Sequence, residues 1–92
     1  GTTVFVAVRT SNHTEDWLDS FAKAVNDFPE VVELHRMSGD VDYLLKVVVA
    51  DITAYDDFYK RLIARVPLSD VSSSFAMEEI KSTTALPLPP IR

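Results

Sequence analysis

The chain has 92 residues, of which 47% are hydrophobic and 25% charged, with a formal net charge of −5. This length allows one domain with one modest core that buries only roughly 60–65% of the surface of the unfolded chain, so we expect an oligomer. The negative charge argues against nucleic-acid binding by this chain itself, because its field repels phosphate.

Cysteine is absent from the sequence. This excludes a disulfide framework and a thiolate metal site, and it fits a reducing cytoplasm. No apolar run reaches the roughly 18 residues of a membrane span, and the N-terminus does not resemble a signal peptide. We therefore expect a cytoplasmic protein without membrane association. Gly1 stands directly before a strand pattern, which suggests a piece cut from a longer protein; a naturally separate domain is the alternative.

The first third of the chain contains one strand pattern and one helix pattern. Residues Thr3–Arg9, TVFVAVR, are β-branched or aromatic at most positions, which predicts a strand buried on both faces. A helix is predicted from Thr14 or Glu15 to Phe28, with Thr14 as N-cap and Pro29 as the stop. Its apolar residues recur at helical spacing, at Trp17, Leu18, Phe21, Ala22, Val25 and Phe28.

The next segment is a predicted β-hairpin. Val31–Met37 has mixed polarity, whereas Asp42–Ala50 is almost continuously apolar, as in a strand buried on both faces. The turn Ser38-Gly39-Asp40 joins them, and Gly39 supplies a backbone conformation that side chains resist. An Asx hydrogen bond from Asp40 also fits such a turn.

A helix, a strand and a tail complete the chain. Asp51 or Thr53 caps the second helix, which ends before Pro67. Its apolar residues are Ile52, Tyr55, Phe58, Tyr59, Leu62, Ile63 and Val66. Val71–Ile80 alternates in polarity as a fourth strand, and the Pro-rich residues 81–92 predict an extended tail. Residues 1–80 are therefore expected to form the domain.

The order β-α-β-β-α-β predicts an α+β ferredoxin-like plait, in which two helices cover one face of a four-stranded antiparallel sheet. Strands one and three take the centre in this plan, which agrees with their apolar character. The other face of the sheet would be wet in a monomer. We therefore expect homodimerisation through that face, sheet against sheet.

Motifs for catalysis, metal binding or a bound cofactor are missing from the sequence. The two glycines, Gly1 and Gly39, cannot form a phosphate-binding loop. His13 and His35 are predicted in different elements and have no acid cluster beside them. The run Ser72–Ser74 lacks the context of a nucleophile. We predict no catalytic residue, no metal and no cofactor.

Asp42 is the acidic residue that turn chemistry explains least. It stands at the first position of a strand predicted to be buried on both faces, where a charge costs free energy unless something pairs with it. An α-amino acid would fit, with its ammonium on Asp42 and its carboxylate on the backbone N–H groups of residues 39–42. Hydroxyls of Ser72 and Ser74, which share one face of their strand, would orient the same ligand.

Two segments, VVELHRMSGDVDYLLKVVVADITAYDDFYKRL and FAMEEIKSTTALPL, carry a family resemblance. With them, essentially the whole chain resembles the effector-binding RAM (regulation of amino acid metabolism) domain of the Lrp/AsnC transcriptional regulators. The most specific part is G-D-x-D-Y-L-L-K followed by D-x-x-A-Y. The resemblance implies a domain that dimerises through its sheet, assembles further into octamers or similar rings and binds an amino acid in clefts between dimers.

The same resemblance implies which residues line the effector cleft, namely Ser38, Gly39, Asp40, Val41, Asp42, Tyr43, Ser72 and Ser74. Asp42 ranks first among them, and residues of a neighbouring dimer would complete the pocket. An amino acid that binds one assembly state better than another shifts the population toward that state. The expected role is thus effector binding and oligomerisation.

Other interpretations stay open. Family members contact DNA through an N-terminal winged helix-turn-helix domain that is absent from this sequence, so a stand-alone amino-acid sensor is the first alternative. A small dimeric enzyme is a second, because ferredoxin-like chains also serve as cofactor-free monooxygenases and isomerases. The helix faces are too apolar for a polar cavity, although Lys46 or His35 aimed into one would reopen that case. A third is an assembly module with an empty cleft.

Overall fold

The computed structural model describes residues 1–66 in full and residues 70–75 by their backbone. The elements follow the predicted order βαββαβ. They are β1 (Thr2–Arg9), α1 (Glu15–Asn26), β2 (Val31–Arg36), β3 (Tyr43–Val49), α2 (Ile52–Arg65) and β4 (Asp70–Phe75). The predicted continuation of the fourth strand to Ile80 and the predicted tail 81–92 lie outside the described residues.

The sheet has four antiparallel strands in the order β2-β3-β1-β4. This confirms the prediction that β1 and β3 take the centre, where both faces of a strand can be covered. In the register of the central pair, Phe5 lies opposite Lys46 and Val8 lies opposite Tyr43. On the other side of β1, Phe5 also pairs with Ser74. The fold is the predicted ferredoxin-like α+β plait.

Helix α1 starts where the sequence predicts and ends earlier. Thr14 has extended backbone, and its hydroxyl accepts the amide hydrogen of Trp17 at 3.2 Å, as expected of an N-cap. The helix ends at Asn26, two residues before the predicted end at Phe28. The ring of Pro29 disfavours helical backbone at the residue before it, so the periodic apolar pattern runs past the last helical turn.

Helix α2 begins after Asp51, whose Oδ1 accepts the amide hydrogen of Ala54 at 2.8 Å. This contact decides between the two caps that the sequence left open, because Thr53 lies inside the helix. One carboxylate oxygen satisfies an otherwise unpaired amide of the first turn, and its charge stands at the positive end of the helix dipole. The helix ends at Arg65.

The core lies between the two helices and one face of the sheet. Alternate residues of the central strands point toward the helices, which follows from the two-residue period of a strand. The fully buried side chains are Val4, Val6, Val8, Phe21, Leu45, Val47, Phe58 and Leu62. Among residues 1–66, Thr10 is the one buried residue outside the apolar and aromatic core.

The other face of the sheet, called the open face here, is formed by Thr3, Phe5, Ala7, Leu44, Lys46 and Val48 together with Glu33 and His35 of β2. Phe5 and Val48 keep 38% and 39% of their surface exposed. Glu33 pairs with His35 at 2.8 Å and with Lys46 at 3.5 Å. The hydrogen bond from His35, with the nearby charge of Lys46, holds the pKa of Glu33 below its usual value.

Strand β2 forms one edge of the sheet. Its register with β3 shifts between Val31 and Glu33, so that Val32 is the extra residue of a β-bulge. Val32 is 52% exposed. The bulge interrupts the regular pairing of the edge strand with β3 at the end nearer α1.

An ion pair ties α2 to the segment between α1 and β2. Arg61 donates to Glu30 and also to Asp57, one turn earlier in α2, at 3.0 Å. The guanidinium of Arg61 lies 5.4 Å from the ring centre of Phe28. The hydrogen bond from Arg61 lowers the pKa of Glu30 from its usual value of 4.5.

We expect the stability of Glu30→Gln to fall less steeply with decreasing pH than the stability of the wild type. A lowered carboxyl pKa in the folded state contributes stability above the unfolded pKa, and this contribution disappears as the pH falls through the folded pKa. The difference in unfolding free energy between wild type and Glu30→Gln should therefore shrink below about pH 4.5. Urea unfolding between pH 3 and 6 measures it. Asp19→Asn, on the exposed side of α1, is the control, and an equal change in pH dependence there would contradict the assignment.

Candidate ligand-binding site

The turn between β2 and β3 is closed by one backbone hydrogen bond, from the amide of Met37 to the carbonyl oxygen of Asp42 at 2.9 Å. Gly39 has a φ of 101°, and it is the one residue with positive φ in the part of the chain that the structure describes. A Cβ at this position would meet no atom within 4 Å. The turn therefore requires glycine for its backbone conformation and not for space, as predicted.

Asp42 is anchored to the end of β1 by two contacts. Its amide donates to the carbonyl oxygen of Val8 at 3.0 Å, and its Oδ2 accepts the amide hydrogen of Thr10 at 2.7 Å. A cation is predicted from the sequence to compensate the Asp42 charge, and the structure shows the backbone amide of Thr10 in part of that role. Because the Asp42 amide donates to Val8, it is not available to a ligand carboxylate, contrary to the prediction for residues 39–42.

The turn still presents unused polar groups. Asp42 is half-buried, and its second oxygen, Oδ1, has no hydrogen-bond partner among the described residues. The one buried side-chain oxygen or nitrogen that lacks a partner in this part of the chain belongs to Glu30, so Oδ1 of Asp42 is reachable from solvent. Within the described residues, the amides of Gly39, Asp40 and Val41 also have no acceptor. An acceptor with a charge and a group of donors thus stand on one turn.

A chain of hydrogen bonds runs from Asp42 to the start of α1. The hydroxyl of Thr10 accepts the amide hydrogen of Asn12 at 3.1 Å. Oδ1 of Asn12 then accepts from the amide and the hydroxyl of Thr14, at 3.0 and 2.8 Å. Thr14 is the N-cap that accepts from Trp17. The loop of residues 10–14 is therefore ordered from one end to the other by side-chain contacts.

The predicted site residues of the turn differ in exposure. Ser38, Gly39 and Asp40 are exposed, whereas Val41 and Asp42 are half-buried. Tyr43 is buried, and its ring lies 5.1 Å from that of Phe21 and 5.9 Å from that of Trp17. Within one subunit, Tyr43 therefore supports the turn from the core side.

Ser72 and Ser74 are not brought to the turn within one subunit. In the ladder, Ser72 pairs with Ala7 and Ser74 with Phe5, so β1 separates both serines from β3. From strand spacing and rise per residue, the Cα of Asp42 is about 12 Å from that of Ser72 and about 17 Å from that of Ser74. This separation, with β1 between them, keeps both serines out of direct hydrogen-bond contact with Asp42 in the same subunit.

A groove of about 510 Å³ lies elsewhere, between α1 and the edge strand β2. Its lining consists of Ala22, Val25, Asn26, Val31, Val32, Glu33 and Leu34, and includes none of the predicted site residues. The one carboxylate there, Glu33, is already paired with His35 and Lys46. The groove offers no free counter-ion for an ammonium group.

Three further features of the described residues concern the alternative functions. Lys46 and His35 lie on the open face, with 35% and 54% of their side-chain surface exposed, and do not point into a cavity inside the subunit. The described residues contain no cluster of three or more side chains suited to a metal ion. Neither α1 nor α2 combines the length and the apolar character needed to cross a membrane, and the described residues contain no other helix.

Thr10 is the residue near the turn that the sequence did not reveal. It follows the last residue of β1, and 32 positions separate it from Asp42. Its contact uses a backbone amide, which every residue except proline carries, so no residue type or spacing marks it. Its burial, at 8% exposure, follows only from the packed structure.

Comparison with known proteins gives consistent results along the chain. A family model described as the Lrp/AsnC ligand binding domain matches residues 3–86. The glutamate uptake regulatory protein of Zymomonas mobilis is 56% identical over 89 residues, which cover 97% of this chain and 54% of that protein. The DNA-binding transcriptional activator DecR of Escherichia coli is 53% identical over 89 residues, which cover 96% of this chain and 59% of the activator.

Solved structures agree in fold. An AsnC family transcriptional regulator from Agrobacterium tumefaciens superimposes with a TM-score of 0.86 at 64% identity, over 94% of this chain and 56% of the regulator. A transcriptional regulator from Neisseria meningitidis, solved as a complex with L-Met, gives a TM-score of 0.85 at 34% identity, over 95% of this chain and 56% of its own. The chain thus spans little more than half the length of these relatives.

Proposed function

The chain belongs to the Lrp/AsnC family as its ligand-binding domain, and from this we propose that its ligand is an α-amino acid held at the turn of residues 38–42. In this proposal Asp42 binds the ammonium group, and the turn amides bind the carboxylate. The domain is then the effector-binding and oligomerisation part of a transcriptional regulator of this family.

The observation that carries the proposal is the pairing of opposite polar groups on one turn. Asp42 offers one charged acceptor, Oδ1, and the amides of Gly39, Asp40 and Val41 offer donors without an acceptor in the described structure. An amino acid carries the complementary pair, an ammonium beside a carboxylate. The related regulator from Neisseria meningitidis was solved with an amino acid bound, which supports the same ligand class here.

We place the complete pocket between subunits. Because β1 keeps Ser72 and Ser74 out of direct contact with the turn of their own subunit, the serines of a neighbouring dimer are the alternative source of these hydroxyls. The proposed effector-binding set stays Ser38 to Tyr43 with Ser72 and Ser74, in which Tyr43 supports the turn from inside the core.

Assembly would proceed in two steps. The open face, with the exposed side chains of Phe5 and Val48 at its centre, is proposed to form a homodimer, sheet against sheet. Dimers would then join into a higher oligomer, an octamer by the family resemblance, with the amino acid at their contacts. An effector that binds one assembly state better than another changes the proportion of the two states.

The relatives that match are named as transcriptional regulators, which suggests a role in regulation and not in catalysis. We propose that this domain acts in the cytoplasm and influences DNA only through a DNA-binding domain outside this sequence. As a stand-alone sensor it would use the same turn and the same assembly. A purely structural module with an empty cleft is the outcome that a failed ligand screen would favour.

A thermal-shift screen against the twenty L-amino acids tests the proposed ligand class. A ligand at about 100 times its Kd adds roughly 2.7 kcal/mol of stability, which for a domain of this size corresponds to a rise in Tm of about 10 °C or more. We expect such a rise for at least one amino acid with the wild-type chain, and sedimentation should show a change in assembly size with it.

Asp42→Asn removes the charge while keeping an acceptor for the amide of Thr10. Loss of a charged hydrogen bond, worth about 1.5–3 kcal/mol, should weaken binding about 10- to 150-fold and remove most of the thermal shift. Asp51→Asn is the matched control, because Asp51 also accepts one backbone amide, at the start of α2. Equal shifts in the Asp42→Asn variant and the wild type would contradict the proposed site.

A further inference from the structure

We propose that Thr10 is a positioning residue of the amino-acid site, an inference that rests on the proposed function. Its backbone amide fixes one oxygen of the Asp42 carboxylate, so that the other oxygen alone is presented to an α-ammonium group. Its hydroxyl holds the loop that keeps this amide in place. Thr10 thereby contributes to the selectivity for amino acids over acids that lack the amino group.

The contact between Thr10 and Asp42 has the geometry of a strong hydrogen bond. The distance of 2.7 Å between the amide nitrogen and Oδ2 is at the short end of the range for N–H···O bonds, as is typical when the acceptor is charged. Thr10 is buried, so water does not compete freely for the amide. A carboxylate held by one oxygen no longer turns freely about its terminal bond, and Oδ1 points in one direction.

The amide of Thr10 is itself held from both sides. Before it, the pairing of β1 with β3 ends with the hydrogen bond from the Asp42 amide to the carbonyl oxygen of Val8. After it, the Thr10 hydroxyl accepts the amide of Asn12, and the side chain of Asn12 accepts from Thr14 at the start of α1. The position of the amide therefore depends on the hydroxyl of the same residue.

In this arrangement, different groups of the protein bind the ammonium and the carboxylate of an amino acid. The ammonium contact depends on the orientation of Asp42 and hence on Thr10, whereas the carboxylate contact depends on amides of the turn that Thr10 does not touch. A change at Thr10 should then weaken binding of an amino acid more than binding of the same acid without its amino group. A general loss of structure would weaken both to the same extent.

The experiment compares these two probes by calorimetry with the full chain. The probes are the twenty L-amino acids and, for each one that binds, the acid with the same side chain and no α-amino group; for L-methionine this is 4-(methylthio)butanoate. The selectivity ratio is the Kd of the acid without the amino group divided by the Kd of the amino acid. In Thr10→Val this ratio should fall about three- to tenfold relative to wild type. Thr10→Ser, which keeps the hydroxyl, should restore the ratio to within about twofold.

Thr53→Val is the matched control, because it makes the same change at an exposed position of α2. Asn12→Ala loosens the same loop from an exposed position and should lower the ratio as Thr10→Val does, which keeps the test decisive if Thr10→Val does not fold. If the loop variants that fold still bind the amino acid and the ratio is unchanged, the proposed role of Thr10 is wrong, whereas the proposed amino-acid site is not affected. Absence of binding by every amino acid to the wild type overturns the proposed function and this inference together.

Discussion

Replacing Phe5 with aspartate is expected to convert the proposed homodimer into monomers. Phe5 lies on the open face between Lys46 and the backbone of Ser74, and 38% of its surface is exposed in the single chain. In a dimer with two-fold symmetry, both copies of the new carboxylate would be buried. At a cost of at least about 2 kcal/mol for each, the dissociation constant of the dimer should rise about 10³-fold.

Sedimentation across a concentration series measures this change. The control is Ile63→Asp, since Ile63 is a comparably exposed apolar residue, at 43%, on helix α2 and away from the open face. We expect that variant to keep the assembly state of the wild type. Monomers in Ile63→Asp together with intact dimers in Phe5→Asp would mean that the subunits associate through the helical side.

Phe58→Ala is expected to give one of the largest losses of stability of any single change in the described core. The ring of Phe58 is fully buried and meets the ring of Phe28 edge to face, with 5.3 Å between centroids, and that of Tyr55 at 6.1 Å. Replacing such a residue with alanine typically costs about 3–5 kcal/mol. A domain of this size has about 5–14 kcal/mol in total, so the variant should be close to unfolded at 37 °C.

Urea unfolding at one fixed protein concentration is the measurement, because association of subunits adds to the apparent stability. Ile52→Ala provides the comparison, since Ile52 is apolar, lies in the same helix and is 65% exposed. Its cost should stay within about 0.5 kcal/mol. A loss below about 1 kcal/mol in Phe58→Ala would show that the space between α2 and the sheet can close around the missing ring.

The sequence predicted well those features that are encoded locally. Thr14 as a cap and the apolar periodicity of α1 placed the start of that helix, and the apolar character of β1 and β3 agrees with their central place in the sheet. The end of α1 was predicted two residues too late, because Phe28 continues the pattern of buried residues after the helical backbone has ended.

Contacts between distant segments were beyond this kind of analysis. Asp42 was identified from its place beside a buried strand, but its partner is the amide of Thr10, and main-chain donors leave no trace in residue type. Ser72 was chosen for its hydroxyl and its side of the strand. Only the order of strands shows that β1 separates it from the turn. A pocket shared between subunits is equally hard to predict from the sequence, because one chain carries only part of it.

The bulge in β2 has a consequence for the behaviour of the protein at high concentration. A regular edge strand exposes a row of unpaired amides and carbonyls on which other chains can add, which leads to fibrous aggregates. In β2 the register shift at Val32 interrupts that row. The rest of the strand begins and ends with the charged side chains of Glu33 and Arg36. Growth along this sheet edge is thereby discouraged, which leaves the open face and the turn as surfaces for ordered, closed assembly.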